Sequence, residues 1–304
     1  MSKESKYREM TNELVEIIKK SVEDGNGLPW RRTWTQQGIA SFPFNYVSMR
    51  PYSGINTLVL WCAASKKGYS SMAWLTMRQV NELGGSVIKG EKATRCIYVK
   101  PIFEADENND DSEKVNRTMV KYYHLFNTEQ CTGLPEGADL CHKTGSIDFD
   151  SMLEKYQNES KITYVFGTDQ PAYRAFSDTI QMPREDVFDS KDDYIAVFAH
   201  ELIHSTGHST RLDRNLTGKN PGYTSKDYAF EELIAELGSA YLCTELNVVS
   251  SIENHASYLQ SWLKALENDE KFIFKAAAAA QKAVSHITQY SLTVGSTEDE
   301  LLTA

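Results

Sequence analysis

Two histidines four residues apart, His200 and His204, most constrain the fold of this 304-residue chain. Residues at this spacing lie on one side of an α-helix, so the two imidazoles can share a metal ion only if the segment is helical. The same turn carries Glu201, a carboxylate that can take a proton from water activated by the metal. The motif is therefore typical of a zinc hydrolase, and the alternative is an exposed helix that happens to carry two histidines.

The residues around this motif predict the helix that it needs. Ser190 and Asp193 are spaced as in a capping box. An apolar stripe then recurs at intervals of three and four residues: Ile195, Phe198 and Leu202. Gly207 ends the pattern, so we expect a helix from about Lys191 to about Ser205 that buries the stripe and turns both histidines toward a cleft.

A catalytic zinc usually has three protein ligands and one water, so the motif requires a third ligand. His208 lies one helical turn beyond the motif, but the Ser-Thr-Gly run before it predicts that the helix has already ended. Glu232 lies on a second predicted helix, Asp227 to Leu242, and Glu236 follows one turn later. We expect Glu232 as the ligand and Glu236 as the partner of a ligand histidine, with the reverse as the alternative. Neighbouring Glu231 is interpreted as part of a solvated acidic face.

Upstream of the motif, residues Phe176 to Pro183 predict a short strand that ends in a turn. A strand beside a zinc cleft can pair with an extended peptide through its backbone, and it can equally be an ordinary sheet strand. Asp178 is the only charged residue in it, and the sequence assigns it no role.

The segment from Leu28 to Lys100 differs chemically from the rest of the chain. It contains ten Lys and Arg and two acids, a net charge of +8; because the whole chain carries −10, the remainder carries −18. Four of the five tryptophans also lie there. Cations that meet phosphates and rings that stack on unpaired bases are what a surface for single-stranded nucleic acid needs. The alternative is that the rings fill a core.

Individual residues of this segment divide between these two interpretations. Trp61 lies in the apolar run Leu58 to Ala64, which predicts a buried helix. The run from Pro29 to Trp34 is too polar and too short to form a core by itself, and residues 89–92 predict a turn between strands. The expected contacts with nucleic acid are Trp30, Arg31, Arg32, Trp34, Lys89 and Lys92.

Two sets of longer motifs occur in the chain, one in each half. The first set is Pro29-Trp-Arg-Arg-Thr-Trp34, Tyr52-Ser-Gly-Ile-Asn56, Trp74-Leu-Thr76 and Lys89-Gly-Glu-Lys92. The second set is Asp178-Thr-Ile-Gln-Met-Pro183, His200-Glu-Leu-Ile-His-Ser-Thr-Gly-His208, Arg211-Leu212 and Glu231-Glu-Leu-Ile-Ala-Glu236. The first set resembles the single-stranded-DNA-binding domain of the ArdC antirestriction proteins, and the second resembles their metallopeptidase domain. The acidic insertion from Glu104 to Lys114 departs from the family pattern and is expected to form a solvated loop.

The resemblance implies a product of a mobile genetic element, such as a plasmid, that binds single-stranded DNA and protects incoming DNA from host restriction. It also implies a zincin-like, gluzincin-type domain with one Zn²⁺ per chain, and Mn²⁺ or another divalent metal is the alternative. Two other functions stay open. One is an active zinc endopeptidase effector that its DNA-binding domain directs to a target, such as a host restriction-modification protein, and the other is a DNA-binding protein whose metal is purely structural.

The expected architecture is an α+β fold with two domains that have separate cores. We place the DNA-binding domain at residues 1–135, a linker at 136–159 and the zincin-like domain at 160–304. The N-terminal segment Tyr7 to Val22 is amphipathic and charged, which predicts neither a signal peptide nor a membrane span. Five widely spaced cysteines fit reduced thiols, so a cytoplasmic location without a membrane partner is expected.

Overall fold

The structure is a computed structural model, and it describes residues 5–25, 27–30, 41–104, 114–135, 147–214, 216, 225–249, 262–266 and 268–289. The N-terminal part, up to residue 135, contains α1 (Lys6–Glu23), β1 (Phe44–Asn45), α2 (Ile55–Lys67), β2 (Ala73–Leu75), α3 (Met77–Glu82), β3 (Ser86–Val87), β4 (Thr94–Glu104), β5 (Lys114–Asn127) and β6 (Cys131–Thr132). The C-terminal part, from residue 147, contains α4 (Phe149–Ser160), β7 (Thr163–Phe166), β8 (Ala172–Arg174), β9 (Thr179–Met182), α5 (Lys191–Ser205), α6 (Ser225–Glu245) and α7 (Phe272–Thr288). The α+β prediction is confirmed.

The N-terminal part is built around a sheet of strand order β1-β2-β5-β4. Strands β4 and β5 form a long antiparallel hairpin, paired from Thr94 with Leu125 to Glu104 with Lys114. The acidic insertion, residues 105–113, joins these strands and lies outside the described residues. β4 is an edge strand, and the side chain of Asn56 on α2 covers its backbone: it accepts from the N–H of Ile97 and donates to its carbonyl oxygen, both at 2.9 Å.

The C-terminal part contains a three-stranded sheet of order β7-β9-β8. The strand predicted upstream of the motif is β9; it is shorter than predicted and lies in the centre of the sheet, parallel to β7 and antiparallel to β8. Phe176 and Asp178 lie in the turn from β8 to β9, where Asp178 has a φ of 46°. Helix α5 packs against this sheet through β8 and β9, and helix α6 packs against both α5 and α7.

Residues assigned to a linker in part form helix α4. Its apolar side, Phe149, Met152 and Tyr156, is buried. The Phe149 ring lies 5.8 Å from that of Phe198 on α5, and the Tyr156 hydroxyl lies 2.9 Å from the Ser205 Oγ. Because one face of this segment is apolar at helical spacing, it packs on α5 and is a structural element of the C-terminal part.

The prediction of separate cores is wrong, because the buried apolar side chains of both parts form one continuous cluster. Within it, the rings of Phe42, Trp61 and Tyr241 contact one another, with centroid distances of 5.8 Å from Phe42 to Trp61, 5.6 Å from Trp61 to Tyr241 and 6.3 Å from Phe42 to Tyr241. The Tyr241 hydroxyl on α6 also donates to the Gly54 carbonyl oxygen at the start of α2, at 3.0 Å. Helix α2 is apolar nearly all round, as the buried run from Leu58 to Ala64 predicted, so it must be covered on more than one side.

Two further sequence expectations bear on this fold. Cys62, Cys96, Cys131 and Cys243, the cysteines within the described ranges, are all free thiols. Among the described residues, we find no helix with the length and apolarity that a membrane crossing requires.

Candidate metal centre

Helix α5 positions the histidine pair and has the predicted bounds, Lys191–Ser205. The Ser190 hydroxyl oxygen accepts from the backbone N–H of Asp193 at 3.1 Å and so caps the first turn. The apolar stripe is buried as predicted: Ile195, Phe198 and Leu202. The opposite side of the helix therefore carries His200 and His204 toward α6.

Helix α6 supplies the acidic residues of the site. It runs from Ser225 to Glu245, somewhat longer than the predicted helix. Gly238 lies where α6 crosses α5, and a Cβ atom there would lie 2.9 Å from the Ile203 side chain. The absence of a side chain at Gly238 thus lets the two helices approach closely, which brings Glu231 and Glu232 beside the histidines.

Three of the predicted ligands come together. One ligand atom from each of His200, His204 and Glu232 lies within 4.8 Å of the others. The Nε2 atoms of His200 and His204 are 3.1 Å apart; the Oε2 of Glu232 lies 3.6 Å from that of His200, and its Oε1 lies 3.7 Å from that of His204. Donor atoms that each lie about 2.1 Å from a tetrahedral zinc ion are separated by about 3.4 Å. The donor set therefore fits one zinc ion in both chemistry and spacing.

The electrostatics of the cluster favour an ionised carboxylate at the metal. Burial opposes ionisation of Glu232, but its hydrogen bond to His200 and the nearby charge of His204 outweigh burial and lower the pKa of Glu232 to about 2. Burial likewise lowers the pKa of His204, but the hydrogen bond and charge of Glu231 overcome this effect and raise it. Both shifts reflect attraction between the carboxylates and a protonated imidazole, and a divalent cation bound to the cluster would supply positive charge in place of that proton.

Glu201, the predicted proton acceptor, lies beside the ligands and is held by the sheet. Its Oε2 accepts from the backbone N–H of Tyr173 on β8 at 2.6 Å. Because β8 is an edge strand, this N–H is available to a side chain rather than to a neighbouring strand. Glu201 is therefore fixed by a backbone group of the sheet, which sequence reasoning did not reveal.

Asp178, which the sequence left without a role, fixes this edge strand. It accepts from the Tyr173 hydroxyl at 2.8 Å and from both terminal nitrogens of Arg211. Burial opposes its ionisation, but the bonds from Arg211 and Tyr173 outweigh burial and lower the pKa of Asp178. Arg211 also donates to the Ser205 carbonyl oxygen at 2.8 Å, so the cluster ties the sheet to the end of α5.

The Nδ1 of His204 meets Glu231 rather than Glu236, and Glu236 as the partner of a ligand histidine stays a prediction. The Nδ1 of His204 lies 3.1 Å from the Glu231 carboxylate, which Arg214 also contacts at 2.8 and 2.7 Å. Glu236 lies fully buried one turn further along α6. Glu231 is also buried, so its interpretation as a solvated acid is wrong. Burial opposes its ionisation, yet Arg214 and His204 together lower the pKa of Glu231.

His208, the competing third ligand, lies in the turn after α5 and outside the ligand cluster. Its Nδ1 lies 2.8 Å from the Thr210 hydroxyl. Helix α5 ends at Ser205, so His208 does not continue the side of the helix that carries His200 and His204. The Ser-Thr-Gly run correctly predicted this end.

Comparison with known proteins places both parts of the chain. Residues 4–126 match the family model for the N-terminal domain of anti-restriction factor ArdC, and residues 151–279 match that for a zincin-like metallopeptidase. The metal-free crystal structure of the antirestriction ArdC protein from R388 plasmid is 35% identical, with a TM-score of 0.74, over 95% of this chain and 98% of that one. The chain belongs to the ArdC family of antirestriction proteins.

Further similar proteins match this ArdC-family chain over most of its length. The Mn(II)-bound structure of the R388 protein is 34% identical, with a TM-score of 0.72, and covers 94% of this chain and 99% of that one. The uncharacterized protein y4eC of Sinorhizobium fredii is 33% identical over 91% of this chain and 89% of its own length. DNA primase TraC of Escherichia coli is 34% identical over 91% of this chain, but the match spans only 26% of TraC, so it says nothing about primase activity here.

In this ArdC-family chain, the assignment of Trp30 as a base-stacking ring is wrong. The ring is 1% exposed and belongs to the continuous core. The run around it is indeed too short to form a core by itself, but a single ring can enter a core that other segments build. Arg31, Arg32 and Trp34 lie outside the described residues.

Other residues of the ArdC-type N-terminal part do reach the surface. Lys89 and Lys92 are exposed in the turn between β3 and β4, as predicted. Tyr98 on β4 is 53% exposed and pairs in register with the exposed Lys121 on β5. By contrast, Arg95 forms an ion pair with the carboxylate of Glu9 on α1, at 3.1 Å. The basic segment therefore offers both an exposed ring and exposed cations, although not every cation in it is available.

Proposed function

We propose that this chain is an antirestriction protein of a mobile genetic element that binds single-stranded DNA and holds one divalent metal ion, Zn²⁺, in a peptidase-type site. The observation that carries this proposal is the cluster of His200, His204 and Glu232 beside Glu201, in a chain whose other part matches the ArdC N-terminal domain. The protein acts in the cytoplasm, where entering single strands encounter the restriction system.

The donor chemistry supports the choice of metal. Two imidazoles and a carboxylate at these separations suit zinc, and an Mn(II)-bound relative supports a divalent ion more generally. When bound, such an ion would polarise a scissile carbonyl and acidify water. Glu201 is placed to take a proton from that water and to return it to the leaving amine. The backbone N–H of Tyr173 keeps the Glu201 carboxylate at this position during both transfers.

The DNA-binding proposal rests on the N-terminal part. Tyr98 offers a face on which an unpaired base can stack, and Lys121 lies opposite it in the hairpin. Lys89 and Lys92 are exposed cations that can contact phosphates. The sequence predicts Arg31, Arg32 and Trp34 as further contacts with DNA. The acidic C-terminal part repels phosphate and should contribute little to affinity.

We expect Tyr98→Ala in the full chain to weaken binding of a single-stranded oligonucleotide by about 1–3 kcal/mol, because the ring stacks on a base. Phe176→Ala is the matched control, since that ring is 88% exposed but lies in the C-terminal part. Fluorescence anisotropy at two salt concentrations measures both variants, and affinity should fall steeply as salt rises. Equal affinity of the wild type for duplex, or normal binding by Tyr98→Ala, would contradict the proposed surface.

We expect Glu201→Ala to leave single-strand binding and most of the protection from restriction intact. The carboxylate lies beside the candidate metal site on α5 of the C-terminal part, and the proposed DNA contacts lie on other elements, in the N-terminal part. The measurement is the efficiency with which a plasmid carrying the variant enters a restricting host, with a non-restricting host as the control. If the Glu201→Ala protein binds DNA normally yet gives the plasmid no protection, protection depends on the metal site and not on DNA binding alone.

Loss of protection in Glu201→Ala despite normal DNA binding would favour a second candidate function, the cleavage of a protein near the DNA, such as a restriction-modification subunit. One observation supports it: Glu201 lies at the edge of the sheet beside the cluster of His200, His204 and Glu232, which is where a peptidase needs its base. Peptide cleavage that requires Glu201 is its test.

A further inference from the structure

Glu231 and Arg214 form a buried pair directly behind one of the proposed metal ligands. The Glu231 carboxylate lies 3.1 Å from the Nδ1 of His204, the ring nitrogen on the side away from the ligand cluster. The Arg214 guanidinium meets the same carboxylate with two parallel bonds of 2.8 and 2.7 Å. This geometry is bidentate, which fixes the orientation of the carboxylate as well as its position.

Arg214 is in turn fixed by the end of helix α5. It donates to the Ile203 carbonyl oxygen at 2.8 Å and to the Thr206 hydroxyl at 2.7 Å. The turn leaves room for it at Gly207, where a Cβ atom would lie 3.0 Å from a guanidinium nitrogen and 2.6 Å from Leu216. The Arg214 side chain is therefore held by the turn, and it holds the Glu231 carboxylate beside His204.

We propose that Glu231, held by Arg214, is the positioning residue that orients His204 toward the metal. This proposal rests on the metal site proposed above. A carboxylate accepts only, so Glu231 requires a proton on the Nδ1 of His204, and the Nε2 of the same ring is left with the lone pair that a metal ligand needs. The hydrogen bond also fixes the plane of the ring.

The competing interpretation is an ion pair that only joins α5 to α6. The two interpretations differ in what they predict for the metal, because a merely structural pair would change folding but not coordination. Partners of this kind typically change metal affinity about 10- to 100-fold when they are removed. A measurement of affinity and of coordination geometry on folded protein therefore separates them.

The test compares the full-length wild type with Glu231→Gln in competition with a chromogenic chelator for Zn²⁺. We expect Glu231→Gln to bind Zn²⁺ about 10- to 100-fold more weakly and to show an altered visible spectrum when loaded with Co²⁺. The matched control is Glu245→Gln, which removes a carboxylate from the other end of α6 and should match the wild type in both measurements.

If Glu231→Gln fails to fold because Arg214 is left unpaired, the variant Glu231→Gln/Arg214→Met removes both charges of the pair and should show the same loss of affinity. Wild type that binds no Zn²⁺ would overturn the metal site and this proposal together. Wild type that binds Zn²⁺ while folded Glu231→Gln matches its affinity and Co²⁺ spectrum would overturn the positioning role alone.

Discussion

A chain in which His200 and His204 are both changed to Ala is expected to retain no zinc, whereas the wild type retains one ion per chain. The double substitution removes two of the three ligand atoms, and the remaining Glu232 carboxylate cannot hold the ion alone. Metal analysis after zinc loading and gel filtration measures the difference. Thermal unfolding gives a second readout, because a ligand at about 1,000 times its Kd stabilises the folded chain by about 4 kcal/mol. Added zinc should raise the Tm of the wild type but not that of the variant.

Two matched variants make this result specific. Glu201→Gln removes the proposed base but no ligand, so it should retain the metal. His208→Ala removes a nearby histidine that lies outside the cluster and should also retain it. A double-alanine chain that keeps one zinc per chain, or a His208→Ala chain that loses it, would show that the ion is bound elsewhere.

The sequence predicted the part of this site that is local in the chain. The spacing of His200 and His204, the cap at Ser190 and the glycine at 207 lie within 18 positions, so helical periodicity alone gives their relative arrangement. Glu232 was predicted because it lies on a second amphipathic segment and carries a suitable donor. These inferences depend only on residue type and on one regular geometry.

The sequence did not predict contacts that depend on how separate elements meet. Whether Glu231 or Glu236 reaches a histidine depends on the rotation of α6 against α5, which is set by the close approach at Gly238. The partner of Glu231 is Arg214, which comes from an irregular turn. The Tyr173 N–H that holds Glu201 is invisible to motif reasoning because any residue type supplies it.

The burial of Trp30 and the shared core have a common cause. Sequence reasoning judged each segment by whether it could form a core by itself. Helix α2 is covered instead by a segment far away in the sequence, Tyr241 on α6, and the ring of Trp30 belongs to the same buried cluster. Helix α6 also carries Glu232, which lies nine residues, or about 14 Å along the helix axis, from Tyr241. One rigid element thus serves both the metal centre and the core under the N-terminal sheet.

We therefore expect the fragment from Met1 to Leu134 to be unable to fold as a cooperative unit. Without α6 and α7, the rings of Phe42 and Trp61 would lose their cover, and the hydrogen bond from Tyr241 to Gly54 would be lost. Helix α1 would also lose a contact, since Thr11 donates to the Glu270 carbonyl oxygen at 2.8 Å. The fragment should bind a hydrophobic dye and unfold without a sharp transition, whereas the full chain should unfold in one step.

Two substitutions at Tyr241 in the full chain measure how much this contact between the two parts contributes to the free energy of unfolding. Tyr241→Phe removes only the hydroxyl and should cost about 1 kcal/mol in the free energy of unfolding. Tyr241→Ala leaves a cavity against Trp61 and should cost about 3–5 kcal/mol, the range for large aromatic truncations. Because the core is shared, Tyr241→Ala should lower the stability of the N-terminal sheet and of the metal centre by the same amount in hydrogen exchange. A fragment with a sharp transition and full affinity for single-stranded DNA, or a Tyr241→Ala chain that destabilises only the C-terminal part, would show that the two parts fold separately despite their contact.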